Sequence, residues 1–110
     1  MASDSYDFFI NDMSARIRRL ADIDRIIHEP ARLMVAALLD AVEEADFKYL
    51  QESTGLTKGN LSVHLSKLEG AGYIEIEKTF RGKYPLTVCR LTQRGSEVLD
   101  TYRKVMRAAL

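Results

Sequence analysis

Residues Gly55–Ile74 read GLTKGNLSVHLSKLEGAGYI, a stretch that combines a helix start, an apolar stripe, a polar face and a stop. Gly55 suits the left-handed conformation that ends a preceding helix, because it has no Cβ to clash there. Thr57 suits the cap of the next helix, since its hydroxyl can accept from a backbone N–H that lacks a helical partner. Leu61, Leu65 and Leu68 recur at i, i+4 and i+7 and gather on one face, while Asn60, Val63, His64 and Lys67 fall on or beside the opposite face. Gly70 and Gly72 are expected to break the helix. Tyr73-Ile74-Glu75-Ile76-Glu77 then changes the period to two, which predicts a strand. The pattern is that of a recognition helix, with its apolar side held to a core and its polar side turned to a partner.

Composition narrows what such a helix can belong to. With 110 residues and 46% hydrophobic content the chain can build one modest core, so one domain is expected. The single cysteine, Cys89, cannot form an intrachain disulfide, and one cysteine with two histidines does not supply a four-ligand zinc site, so neither a metal nor a cofactor is expected. A strand cysteine between Val88 and Arg90 reads as a small core residue rather than a redox sensor. A reducing, cytoplasmic setting fits that usage. No apolar run reaches the roughly 18 residues of a membrane span, and the acidic N-terminal stretch lacks the basic and apolar regions of a signal peptide. The formal net charge is zero, which by itself argues against a nucleic-acid partner. Its distribution argues otherwise: residues 1–46 hold 5 basic and 10 acidic side chains, whereas residues 47–95 hold 8 and 4. A locally positive surface on a neutral chain can still attract phosphate, with a shallower salt dependence.

Working outward, the polar residues 1–7 read as a loose terminus, and Phe8 to Ile27 as an amphipathic helix. Ile10, Met13, Ile17, Leu20 and Ile27 alternate at spacings of three and four, with Asp24 in a slot where one more apolar residue would continue the pattern. Arg16, Arg18, Arg19 and Arg25, interleaved with Asp12 and Asp22, read as a solvated face rather than a phosphate-binding stripe. His28-Glu29-Pro30 marks a boundary, since the residue before proline is pushed out of helical geometry and proline suits a first turn. A core helix carrying Val35, Leu38, Leu39 and Val42 follows, its acidic end Glu43-Glu44-Ala45-Asp46 opposing the helix dipole and so frayed or exposed. Phe47 is expected in a very short strand, and Tyr49 and Leu50 in a brief helix leading to Gly55. Downstream, Tyr73–Phe80 and Leu86–Leu91 form a hairpin joined by Arg81-Gly82-Lys83-Tyr84-Pro85, whose Lys78, Arg81 and Lys83 are placed to reach along a phosphate backbone. Alternation leaves open which face of the second strand is buried: Cys89 and Leu91 point one way, Leu86 and Val88 the other. Thr92 caps a last helix whose Val98, Leu99, Tyr102, Val105, Met106 and Ala109 form an apolar stripe.

The fold class expected from this order is α+β and mostly helical: a winged helix-turn-helix domain with an added N-terminal helix and a long C-terminal helix. At residues 55–95 the chain resembles the winged-helix transcriptional regulators of the MarR and ArsR type, most closely their short single-domain relatives. The shared pieces are the G-L before a Thr-started helix, N-L-S-x-H-L-x-x-L-E-x-A-G-Y-I, a K-x-F-x-G-K wing and the closing R-L-T-x-x-G, together with the Pro30-Ala31-Arg32-Leu33 helix start. Residues 1–28 lie outside the resemblance. It implies that Thr57, Lys58, Asn60, Ser62, Val63, His64 and Lys67 lie at or near the major groove and that Lys78, Arg81 and Lys83 serve the wing. Major-groove chemistry agrees, because Asn can pair bidentately with adenine, Lys can reach guanine, and Val63 or the Thr57 methyl can meet a thymine methyl. His64 keeps two readings, a partly buried histidine bonded to a backbone carbonyl or a contact to base or phosphate.

Three boundaries follow: residues 1–28 for dimerisation, 29–95 for DNA binding, and 92–110 for completing the core and for dimerisation. Both ends offer apolar stripes with little left to cover, and the simplest cover is a second copy packed through Ile10, Met13, Ile17, Leu20, Ile27, Leu99, Tyr102 and Met106. Two recognition helices about 34 Å apart would then read a palindromic operator in double-stranded DNA. A small-molecule effector, if one acts, is expected between the terminal helices and the winged core, where Tyr6, Phe8 and Phe9 add aromatic area. No catalytic triad, phosphate loop or carboxylate pair is present, so an enzyme is not expected. The competing reading is a winged helix that docks proteins without touching DNA.

Overall fold

The computed structural model describes residues 2–110, with side chains from residue 5 onward. Helix α1 (Ala2–Arg18) runs into a 3-10 turn (Arg19–Asp22) and a linker. Then come α2 (Pro30–Val42), β1 (Glu44–Asp46), α3 (Phe47–Thr54), α4 (Lys58–Gly70), β2 (Ile74–Arg81), β3 (Tyr84–Leu91) and α5 (Gln93–Ala109). The three strands are antiparallel in the order β1-β3-β2. This is a winged helix-turn-helix with an added helix at each end. α3, the turn at 55–57 and α4 make the helix-turn-helix, and the β2–β3 hairpin is the wing.

Side-chain chemistry fixes each boundary. Glu29, Asp46, Thr57 and Thr92 sit in extended conformation before α2, α3, α4 and α5, and each side chain accepts from a backbone N–H three residues on. Gly55, at φ 73°, closes α3 as expected. α4 ends differently from the sequence reading, because it continues through Gly70. Gly72 alone takes the left-handed conformation (φ 79°), with Tyr73 N–H donating back to Leu68 O and Gly72 N–H to Glu69 O.

The core collects Ile27, Val35, Ala36, Leu39, Ala45, Leu50, Leu61, Leu65, Leu68, Tyr73, Ile74, Cys89 and Leu99. Leu61, Leu65 and Leu68, 0–3% exposed, lay α4 across this core. Burying one such leucine is worth roughly 1.5–3 kcal/mol. β3 is buried at its centre on both faces, through Cys89 in the core and Val88 on the opposite side, and Arg90 reaches Glu44 on β1 and Glu77 on β2, each at 2.9 Å. Gly95 lies where α5 crosses the start of the wing. A Cβ there would collide with the Tyr73 carbonyl oxygen and stand 2.9 Å from its carbon.

Four further expectations are corrected. The N-terminal helix begins at Ala2, and its 3-10 continuation stops at Asp22 rather than running to Ile27. Asp24 ends it: one carboxylate oxygen accepts from Ile26 and Ile27 N–H, both at 2.9 Å, and the other accepts from the Tyr73 hydroxyl. Ile27 is thereby carried into the winged core at 0% exposure, and Leu99 of α5 lies there at 1%, so neither is available to a second copy. The strand after α2 is Glu44–Asp46, paired with Val88–Arg90, while Phe47 opens α3, so the acidic end of α2 is an ordered crossing rather than a frayed one, with Glu43 and Glu44 exposed as expected. The wing loop is a two-residue turn, Gly82-Lys83, closed by the Arg81–Tyr84 pair, with Gly82 at φ 61°. Pro85 fits inside β3 because β1 reaches only Val88–Arg90, so no partner on that side needs its missing N–H.

The chain measures 74 × 25 × 21 Å, with a radius of gyration of 18.3 Å against about 13 Å for a compact domain of about 100 residues. α1 accounts for the difference. Its residues from Asp12 on, with Arg19 of the 3-10 turn, cross α5 at Lys104–Ala108, and its earlier turns continue past that crossing with Tyr6, Phe8, Phe9 and Ile10 at 41–76% exposure. No described helix is long and apolar enough to cross a membrane.

Candidate nucleic-acid interface

Helical geometry sorts the outer residues of α4 into two flanks. Residues three or four apart share a face. Ser62, Ser66 and Glu69 therefore form one flank, and Asn60, His64 and Lys67 the other, with Val63 outermost between them at 53% exposure. The first flank faces the wing. A depression of about 430 Å³ is walled by Ser62, Ser66 and Glu69 on α4 and Lys78 and Thr87 on the wing, with Leu65, Ile76 and Phe47 as its floor. A second, of about 580 Å³, shares Phe47 and Thr87 and carries Lys48, Gln51, Lys58 and Arg81 on its sides. Together they make a trough between the helix-turn-helix and the wing. Lys58, Ser62, Lys78 and Arg81 line it, Lys83 stands exposed at the wing tip, and Thr57 is taken up in the α4 cap, its hydroxyl 3.2 Å from Asn60 N.

The second flank faces the start of α2. Asn60 and Lys67 are exposed there, but His64 is turned inward, its side chain 19% exposed, with Nδ1 3.2 Å from an Arg32 guanidinium nitrogen and 3.7 Å from Glu29 Oε2. His64 is partly buried, yet its partner is a side chain and not a backbone carbonyl. Arg32, 8% exposed, also donates to the carbonyls of Ile26 (2.6 Å) and Arg25 (3.4 Å). Burial works to raise the Glu29 carboxyl, but bonds from the Arg32 and Ala31 N–H groups and the charges of His64 and Arg32 outweigh it and hold it below its ordinary value.

The basic excess of residues 47–95 is thus unevenly usable. Arg90 is neutralised by Glu44 and Glu77, and Arg94 lies over the Tyr73 ring at 5.7 Å. Lys48, Lys58, Lys67, Lys78, Arg81 and Lys83 remain, and among the described residues none has a carboxylate within 4.0 Å. Asp46, Glu52 and Glu69 also border the trough, so its charge is mixed. Ser66, Lys48 and Gln51 escaped the sequence reading. Ser66 had a signal, since it follows Ser62 by one turn. Phe80 and Tyr84, 69% and 78% exposed at the wing tip, were read only as strand and loop residues. They lie beyond the reach of β1, which pairs only with Val88–Arg90.

A helix presenting small polar and basic side chains, a basic hairpin beside it and a trough between them define a DNA-binding winged helix-turn-helix. Residues 31–110 match the winged helix DNA-binding domain family, and the chain belongs to it. An uncharacterised protein of Methanocaldococcus jannaschii is 35% identical over 78 residues, covering 71% of this chain and 85% of its own. The structure of a transcriptional regulator homologue from Pyrococcus horikoshii OT3 superposes with a TM-score of 0.78 at 29% identity, over 83% of this chain and 92% of that one. A MarR-family transcriptional regulator from Silicibacter pomeroyi shares the fold at a TM-score of 0.63 and 21% identity, over 98% of this chain and 70% of that one, a span that takes in α1.

Proposed function

We propose that the protein is a sequence-specific transcriptional regulator that binds double-stranded DNA as a homodimer. The observation that carries the reading is the trough, in which Lys58 and Ser62 of α4 face Lys78 and Arg81 of the wing. α4 enters the major groove, where Asn60, Ser62, Val63, Ser66 and Lys67 meet base edges, while Lys78, Arg81 and Lys83 hold the flanking phosphates. Six free cations on one near-neutral domain give modest affinity, so two copies on a palindromic operator multiply it.

The second copy is supported by α1. Isolated helical turns are marginal in water, and those bearing Tyr6, Phe8, Phe9 and Ile10 extend past α5 with their apolar side chains exposed. Ile10, Met13, Ile17, Leu20 and Met106 remain in the proposed dimer surface. Ile27 and Leu99 leave it, and Tyr102 is engaged at one edge by His28, Nδ1 to hydroxyl 3.0 Å. An effector has a place to act in a cavity of about 240 Å³ where Asp22, Ile23 and Asp24 meet Val98, Thr101, Tyr102 and Val105. Tyr6, Phe8 and Phe9 do not line it.

Sedimentation at tens of micromolar tests the dimer. A twofold mass that falls to one copy in Ile10→Glu/Ile17→Glu supports it, and a wild-type monomer sinks it. Selection from a random duplex pool tests sequence specificity, which recovery of no preferred sequence removes, and absence of any binding to duplex at low salt returns the protein to a docking role.

A further inference from the structure

Arg32 stands between the linker and the recognition helix, with each of its three guanidinium nitrogens in contact with a named acceptor. A guanidinium has five N–H donors, no acceptor, and stays charged. Its Nε donates to Ile26 O at 2.6 Å, and a terminal nitrogen lies 3.2 Å from His64 Nδ1. Since Arg32 can only donate, Nδ1 must offer its lone pair. A neutral imidazole carries one ring proton, so that proton sits on Nε2. The competing arrangement would place it on Nδ1 and aim it at Glu29 Oε2. That oxygen is 3.7 Å away, too far for a hydrogen bond, and already accepts from Arg32 N at 2.8 Å. Among the described residues Nε2 has no partner, and none of their buried side-chain nitrogens or oxygens is left unpaired, so Nε2 opens to solvent on the flank of Asn60 and Lys67.

We propose that Arg32 is a positioning residue for DNA recognition: it holds His64 in the tautomer with its proton on Nε2, so this flank of α4 presents an Nε2–H donor that meets an acceptor on DNA, a purine N7 or a phosphate oxygen. The inference rests on the DNA-binding reading for its second half only, because the tautomer is a property of the free protein. It makes His64 part of the interface through Nε2 while its Nδ1 edge stays buried, which joins the two readings its sequence position left open.

Ring-nitrogen NMR of the ¹⁵N-histidine-labelled full chain, at about pH 8 where an ordinary imidazole is neutral, should show His64 with its proton on Nε2. Arg32→Met should produce a mixture or the Nδ1–H form. A His64 proton on Nδ1 in the wild type overturns the proposal. Should Arg32→Met not fold, the His64 variants decide. On a duplex selected by the wild type, His64→Gln, whose amide nitrogen falls near the place of Nε2, should bind within about threefold, while His64→Asn and His64→Ala should lose tenfold or more. Replacing purines by 7-deazapurines, or phosphates by methylphosphonates, should weaken the wild type at one position and leave His64→Ala unchanged there. The modification that acts identifies the acceptor. Equal losses for both proteins at every position overturn the contact. Failure of the wild type to select any duplex overturns the DNA-binding reading, with the NMR result standing apart from it.

Discussion

Replacing Asp24 by alanine removes three hydrogen bonds at the joint between α1 and the winged core. Two backbone N–H groups, of Ile26 and Ile27, donate to one carboxylate oxygen at 2.9 Å, and the Tyr73 hydroxyl donates to the other. A hydrogen bond to a charged group contributes about 1.5–3 kcal/mol. Water can replace part of this, because Asp24 is only half-buried. The Tyr73 side chain cannot be so compensated, since the residue is 5% exposed. A loss of about 3 kcal/mol is expected in all, which at about 4 °C per kcal/mol lowers Tm by about 12 °C. Urea and thermal unfolding at one fixed protein concentration measure it, the concentration being held because association shifts apparent stability. A double-mutant cycle with Tyr73→Phe should give a coupling of about 1 kcal/mol or more. A total loss below about 1 kcal/mol, or no coupling, would refute the view that Asp24 ends the helix and seats Ile27 in the core.

Gly95→Ala gains up to about 1 kcal/mol in helix propensity, but its methyl would collide with the Tyr73 carbonyl and press on Leu91 Cδ1 at 3.0 Å. A net destabilisation of about 1–3 kcal/mol is expected, and a variant as stable as wild type in urea would show that α5 can simply shift. Alkaline titration addresses Tyr73, whose hydroxyl is pushed from 10.0 up to about 12 by burial first, then by its bond to Asp24 and that carboxylate's charge. Because the folded value is raised, the stabilisation is whole below pH 10 and is lost as pH climbs from 10 to about 12, a change on the order of 2 kcal/mol. Phenolate absorbance should therefore show one late-titrating tyrosine that disappears in Tyr73→Phe, and five tyrosines titrating together would contradict the assignment.

What the sequence disclosed and what it hid divide along the range of the interaction. Gly55, Thr57 and Thr92 were legible because a helix cap is a local bargain between a residue and the next turn. The Leu61-Leu65-Leu68 stripe was legible because α4 buries one face. Asp24 was visible as a break in an apolar pattern, but its meaning depends on Tyr73, 49 residues away. Gly95 carries no local signal beyond its place in R-L-T-x-x-G, since what excludes a side chain is a carbonyl across the core. β1 is three residues long and exists through β3. In the interface, Lys78 and Arg81 follow from their places in the hairpin, while Lys58 and Ser62 follow only from the family resemblance. The two-flank division of α4 follows from neither, because it depends on where the wing and the start of α2 pack, and the engagement of His64 is set by Arg32 from another helix.

The most direct test of the central claim is the salt dependence of binding to nonspecific duplex DNA, compared between wild type and the wing variants Arg81→Ala and Lys83→Ala. Each phosphate contact contributes about 0.9 to the slope of log affinity against log salt. Wild type should bind at low salt and lose affinity as salt rises, with a slope reduced by about 0.9 in each variant and unfolding unchanged. Absence of binding by the wild type at low salt, or identical slopes for all three proteins, would contradict it.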